Sequence, residues 1–127
     1  MRTLKRVLPV LFILILLVGC ASFTKTSYVT LNESKDLYYM AMDSVANLQA
    51  QKLITAQQRE NINKYAKIYK EAHNTAVTAL SVYKQTGLAA DKDKVITAIA
   101  QAAASWAQVA KLINAIRPGT VPATFSK

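Results

Sequence analysis

From Thr55 to Gly87 the chain repeats one signal without a break: apolar residues at steps of three and four. The stripe is Ile62, Tyr65, Tyr69, Ala72, Ala76, Leu80 and Tyr83, close to a heptad seam. Thr55-Ala56-Gln57-Gln58 opens it with the form of a capping box, in which a hydroxyl and a side-chain carbonyl satisfy backbone N–H groups that a helix start leaves open. Gly87 closes it, as expected of a residue that reaches positive φ without steric cost. The opposite face holds Glu60, Lys64, Lys67, Glu71, Asn74 and Thr78. A helix of about thirty residues, ~45 Å long, leaves the chain little choice but to pack helix on helix.

Two further segments read the same way. Thr30-Leu31-Asn32-Glu33 has the Thr-x-x-Glu form of a capping box and precedes an apolar stripe of Leu31, Ser34, Tyr38, Ala41, Val45 and Leu48. The spacing predicts a helix over 31–51. After Asp91-Lys92-Asp93, with Asp91 as N-cap and Asp93 favouring the positive end of the dipole, residues 92–116 form the third. Its most apolar part is long enough to suggest a membrane span. Thr97, Gln101, Ser105, Gln108 and Lys111 nevertheless make a polar stripe, against Ile96, Ile99, Ala103, Trp106, Ala110, Ile113 and Ile116. An amphipathic helix fits better. Pro118-Gly119 stops it, and 118–127 reads as a tail.

Strand-period alternation is absent from the sequence. The expected fold is all-α, an antiparallel three-helix bundle over 30–117 with helices at 31–51, 56–86 and 92–116. The many alanines of the third helix permit close approach and also imply a thin core, so pairing with a second copy or another protein is expected.

The first twenty residues follow a different logic. Arg2, Lys5 and Arg6 form a basic head, Val7 to Val18 an apolar run of twelve, and Gly19-Cys20 follows, with Cys20 the one cysteine of the 127 residues. Twelve residues give ~18 Å of helix against a ~30 Å hydrocarbon core, short for a span and right for an export signal. Leu17-Val18-Gly19-Cys20 resembles the lipobox of bacterial lipoproteins. The resemblance implies a signal peptide at 1–19, cleavage between Gly19 and Cys20, and acylation of the Cys20 thiol, palmitate included. Ala21, rather than Asp, resembles the class forwarded to the outer membrane, facing the periplasm. A second cysteine to pair with Cys20 does not exist. Residues 20–29, with the Ser- and Thr-rich ASFTKTSY, read as lipidated cysteine and short tether, ~26–29 Å when extended.

Cleavage would take the net charge from +9 to +6 by removing Arg2, Lys5 and Arg6. A moderately basic surface suits anionic headgroups or an acidic envelope component, and an exported location argues against nucleic acid. Arg59, Lys64, Lys67 and Lys70 form a basic stretch on the second helix, the candidate interaction surface. Tyr28 and Tyr39 fall off the main stripe, placed to touch a membrane interface or a partner.

Catalytic chemistry finds little to use. His73, the single histidine, has no nucleophile or carboxylate at helical spacing, because Glu71, two positions before it, points ~160° away. Asp91 and Asp93 lack the spaced oxygen ligands and central glycine of a calcium loop. Phosphate loops, paired cysteines and nucleophile elbows are missing from the sequence. The expectation is a non-enzymatic protein with no cofactor, no metal and no small-molecule substrate.

Tyr- and Ala-rich helices, the Leu53-Ile54-Thr55 start and the late Trp106 resemble small all-helical lipoproteins of bacterial and prophage genomes. The resemblance implies no particular activity. The leading expectation is a lipid-anchored envelope protein whose bundle contacts an envelope protein or itself. The alternatives are a prophage superinfection-exclusion lipoprotein, which blocks a receptor or the passage of DNA, and a membrane-active lysis protein.

Overall fold

The computed structural model describes the backbone of residues 2–125 and the side chains of residues 22–125. The chain is all-α: α1 (Arg2–Ala50), α2 (Ala56–Thr86) and α3 (Ala89–Ile116), with no strand among the described residues. Successive helices run antiparallel. Along α1 and α2, Phe23 meets Tyr83, Leu31 meets His73 and Ser34 meets Tyr69. Signal cleavage at Gly19 and lipidation at Cys20 lie outside the described side chains.

The α2–α3 hairpin is the close-packed part of the bundle. Ala66 and Ala76 of α2 and Ala98, Ala102 and Ala110 of α3 are all buried, and small residues let two backbones approach closely. Contact between α1 and this hairpin is much sparser and runs through larger side chains, Tyr38 on Tyr69 and Phe23 on Tyr83 among them.

The buried seam of α2 is Ile62, Ala66, Tyr69, Ala76, Leu80 and Tyr83. Half-buried His73 fills the remaining step, so the spacing alternates four and three throughout. Tyr65 and Ala72, expected on the stripe, sit one position off it and are half-buried. In the third helix Trp106, Ala110 and Ile113 are buried as expected, but the start of the stripe is turned. Val95, Ala98, Ala102, Trp106, Val109, Ala110 and Ile113 are buried, whereas Ile96 is 49% exposed. Its apolar arc is too broad for hydropathy to fix the rotation. Close approach does so, by burying Ala98, Ala102 and Ala110 while leaving Ile96 outside.

The capping box at Thr55 is present in full: Gln58 N–H donates to Thr55 Oγ1 (3.1 Å) and Thr55 N–H to Gln58 Oε1 (2.9 Å). Gly87, at φ 64°, donates its N–H to Tyr83 O, as its place after the stripe predicts. The other two helix starts differ from expectation. Helix α1 runs through Thr30 without a cap, and residues 22–29 are helical rather than a loose tether. The physical reason is burial. Ser27 continues the seam one step below Leu31, and Phe23 stands edge-on to Tyr83 at 5.4 Å, with the Lys92 ammonium 4.9 Å from its ring centre. For α3 the N-cap is Leu88, with no side-chain cap, and Asp91 lies inside the first turn. The Thr86 hydroxyl links the two ends, accepting from Leu88 N–H and donating to the Asp91 carboxylate. Only Gly87 and Leu88 separate the helices. That leaves no room for a loop ending in an aspartate cap.

Helix α1 ends in a Schellman arrangement. Leu53 N–H bonds Leu48 O and Lys52 N–H bonds Gln49 O, with Lys52 in the left-handed region at φ 60°. The segment after Ile116, expected as a tail, folds back instead. Gly119 takes φ 76°, and Val121 and Phe125 are buried against the core.

Candidate functional site

The bundle centre is built on Tyr69. Its ring stacks on Tyr38 of α1 (5.5 Å), meets Trp106 of α3 edge-on (5.5 Å) and touches Phe125 from the returning segment (6.1 Å). Its hydroxyl is paired with Ser34 of α1, a side chain with no exposed surface. Burial, with Tyr38 adding to it, holds the Tyr69 phenol well above the ordinary tyrosine range, so the hydroxyl stays protonated. A proton-holding pair at the centre of an aromatic cluster serves to fix the position of α1 on α2.

One turn along, His73 Nε2 lies 3.0 Å from Leu31 O. A carbonyl only accepts, so Nε2 carries the proton in this bond. Above these groups, α1 and α2 leave a pocket of about 250 Å³ with Tyr38, Tyr69 and His73 inside and Lys35, Lys70, Tyr39 and Asn74 around it. It offers cations and hydrogen-bond donors against aromatic walls, with no carboxylate among its lining residues. The geometry accommodates an anion better than it accommodates acid–base catalysis, which needs a positioned partner for the histidine.

The basic stretch does not converge on one point. Arg59 and Lys70 are eleven positions apart, three helical turns, and share a line on α2. Lys70 borders the α1–α2 pocket, while Arg59 borders a shallow hollow with Ala56, Glu60 and Asn63. Lys64 is turned away, its ammonium 5.9 Å from the Tyr65 ring centre, and Lys67 is exposed. Tyr28 and Tyr39 stand out into solvent at 61% and 57% exposure. A second groove, about 590 Å³, runs between α1 and the returning segment. There the carboxylates of Glu33 and Asp36 flank Leu37, Met40 and Phe125.

Ser34 and the returning segment are the structural residues that the sequence pattern undervalues. Ser34 is legible there only as a small residue on a stripe, and Val121 and Phe125 only as two apolar residues past a Pro-Gly stop. Among the described residues, no group of three or more His, Cys, Asp or Glu side chains is placed to hold a metal. Among them, too, no helix is long and apolar enough to cross a membrane. Comparison of the chain with protein-family models, curated proteins and solved structures gives no match.

Proposed function

We propose that this chain is a lipid-anchored bacterial envelope protein whose helical bundle is a non-enzymatic module for contact with another envelope protein. The observation that carries the reading is the run of basic head, twelve apolar residues and Leu17-Val18-Gly19-Cys20, with Cys20 alone of its kind in the chain. Two or three acyl chains on one residue give far more than the marginal membrane binding of a single chain. Ala21 after the anchor favours the outer membrane, periplasmic side. Support for the contact role comes from the surface. Tyr39 and Met40 are exposed side by side on α1, and Arg59 and Lys70 present cations along α2. Exposed aromatic and arginine side chains are the types that anchor protein interfaces.

Metabolic labelling with a fatty acid tests the anchor. The native chain takes up label and Cys20→Ser does not, and the variant keeps its signal and so its larger mass. Label on Cys20→Ser, or an unchanged mature mass, refutes it. Crosslinking in the intact envelope followed by pull-down tests the contact. A specific partner lost on Tyr39→Ala or Arg59→Glu supports it, and recovery of no specific partner rejects it.

A further inference from the structure

The bundle has two ends, and only one lies near the anchor. Ser22 is two residues from Cys20, and two residues span at most ~7 Å whatever their conformation. Helix α1 leaves no slack beyond that point, because Phe23 is already held between Tyr83 and Lys92. The eight-residue tether expected from sequence would have let the domain swing freely. The observed helix instead sets the α2–α3 turn at the level of the anchor. Leu88 leads that end at 59% exposure, with Ile96 at 49% and Val82 at 41% about two turns or less away, and Tyr28 at 61% on the neighbouring α1. Lys25, Lys84, Lys92 and Lys94 lie among them, against Asp91 and Asp93. Asp91 is engaged by Thr86 and, at 3.9 Å, by Lys94.

Exposed apolar side chains interleaved with lysines are the composition that settles ~5–10 Å into the headgroup region of an anionic bilayer. We infer that the α2–α3 turn end, led by Leu88, is a membrane-docking surface that seats the bundle directly on anionic lipid. The inference rests on the proposed anchor at Cys20, since the anchor brings this end to the lipid. Its occupant is the bilayer surface. A second copy of the chain docked over Leu88 instead would shield it from lipid and leave position 88 unquenched in the test below.

Acylation consumes the sole native thiol, so an introduced cysteine becomes the one site for a thiol-reactive fluorophore. Full-length lipidated protein carrying Leu88→Cys, and separately Leu53→Cys at the opposite end, is labelled with bimane. Both are reconstituted into vesicles of phosphatidylethanolamine and phosphatidylglycerol with brominated acyl chains. Both sites are exposed, so neither change disturbs the core. The expected result is several-fold quenching at position 88 and none at position 53. Equal quenching at both, or none at position 88 while the protein floats with the vesicles, overturns the docking surface and leaves the anchor standing. Labelling of the native chain at Cys20, with failure to float, overturns the anchor and the docking surface with it.

Discussion

The side-chain amide of Asn114 closes a two-way bond with the backbone of Val121: Nδ2 donates to Val121 O (2.9 Å) and Oδ1 accepts from Val121 N–H (3.1 Å). One residue thereby satisfies both polar groups of a backbone unit that the fold buries, with no regular secondary structure available to do so. The neighbouring carbonyl, that of Pro122, accepts from Trp106 Nε1 at 2.9 Å. Together these bonds hold the returning segment over the aromatic cluster.

Asn114→Ala leaves the buried Val121 backbone unpaired and should cost about 1–3 kcal/mol. Urea unfolding gives the loss, and limited proteolysis should show cleavage near Thr120–Thr124 before the helices open. Equal protection of this segment in the variant and the native chain would refute the role assigned to Asn114.

Ser34 and Tyr69 form a coupled pair. Either single change, Ser34→Ala or Tyr69→Phe, strands the remaining hydroxyl and should destabilise by about 1–3 kcal/mol. The double variant should lose less than the two single losses combined, because no stranded partner is left. A full double-mutant cycle by chemical denaturation measures the difference, and strict additivity would rule out the pairing.

Tyr69 also sets an alkaline limit. Its phenol is held protonated in the fold, above the ordinary value of about 10 of an unfolded chain. The stability this provides is complete below about pH 10 and is lost as pH rises toward the higher folded value. The urea midpoint of the native chain should therefore fall as pH rises above about 10, and Tyr69→Phe should flatten that fall. Parallel curves for the two proteins would assign the alkaline loss to other groups.

Ala102 has no exposed surface and belongs to the alanine face that α3 turns to α2. Ala102→Leu forces extra methylenes between close-packed helices and should cost about 1–3 kcal/mol. Ala115→Leu, at an exposed position of the same helix, should change stability by no more than about 0.5 kcal/mol. Thermal unfolding of the two variants distinguishes a packing cost from a general intolerance of bulk.

Lys52 occupies the left-handed position that ends α1, where a side chain is disfavoured by about 1–2 kcal/mol. Lys52→Gly should stabilise by about 0.5–1 kcal/mol once the added freedom of the unfolded glycine is subtracted. A lowered thermal midpoint would show that the lysine side chain contributes more than its backbone costs.

The helices themselves are legible in the sequence because their signals are local. The Thr55 box, the Gly87 stop and the three-four spacing need no partner to be read. Rotation is not legible. Tyr65 or Ala66, and Ile96 or Val95, are equally good core residues until the neighbouring helix selects between them by size. The start of α1 misleads because Thr30-x-x-Glu33 is a good cap in isolation. What overrides it is Phe23 between Tyr83 and Lys92, a contact spanning sixty or more positions. The pocket over Tyr69 is hidden for the same reason: Lys35 and Lys70 become neighbours only when α1 docks.

Phe125 touches both Tyr69 and Trp106, so the aromatic centre is complete only when the returning segment has docked. A hairpin of α2 and α3 is able to assemble from local contacts as soon as both are available, and α1 precedes them on the chain. The aromatic centre that locks all three together nonetheless waits for residue 125. Docking of Phe125 is thus the step that ties α1, the hairpin and the returning segment into one aromatic cluster.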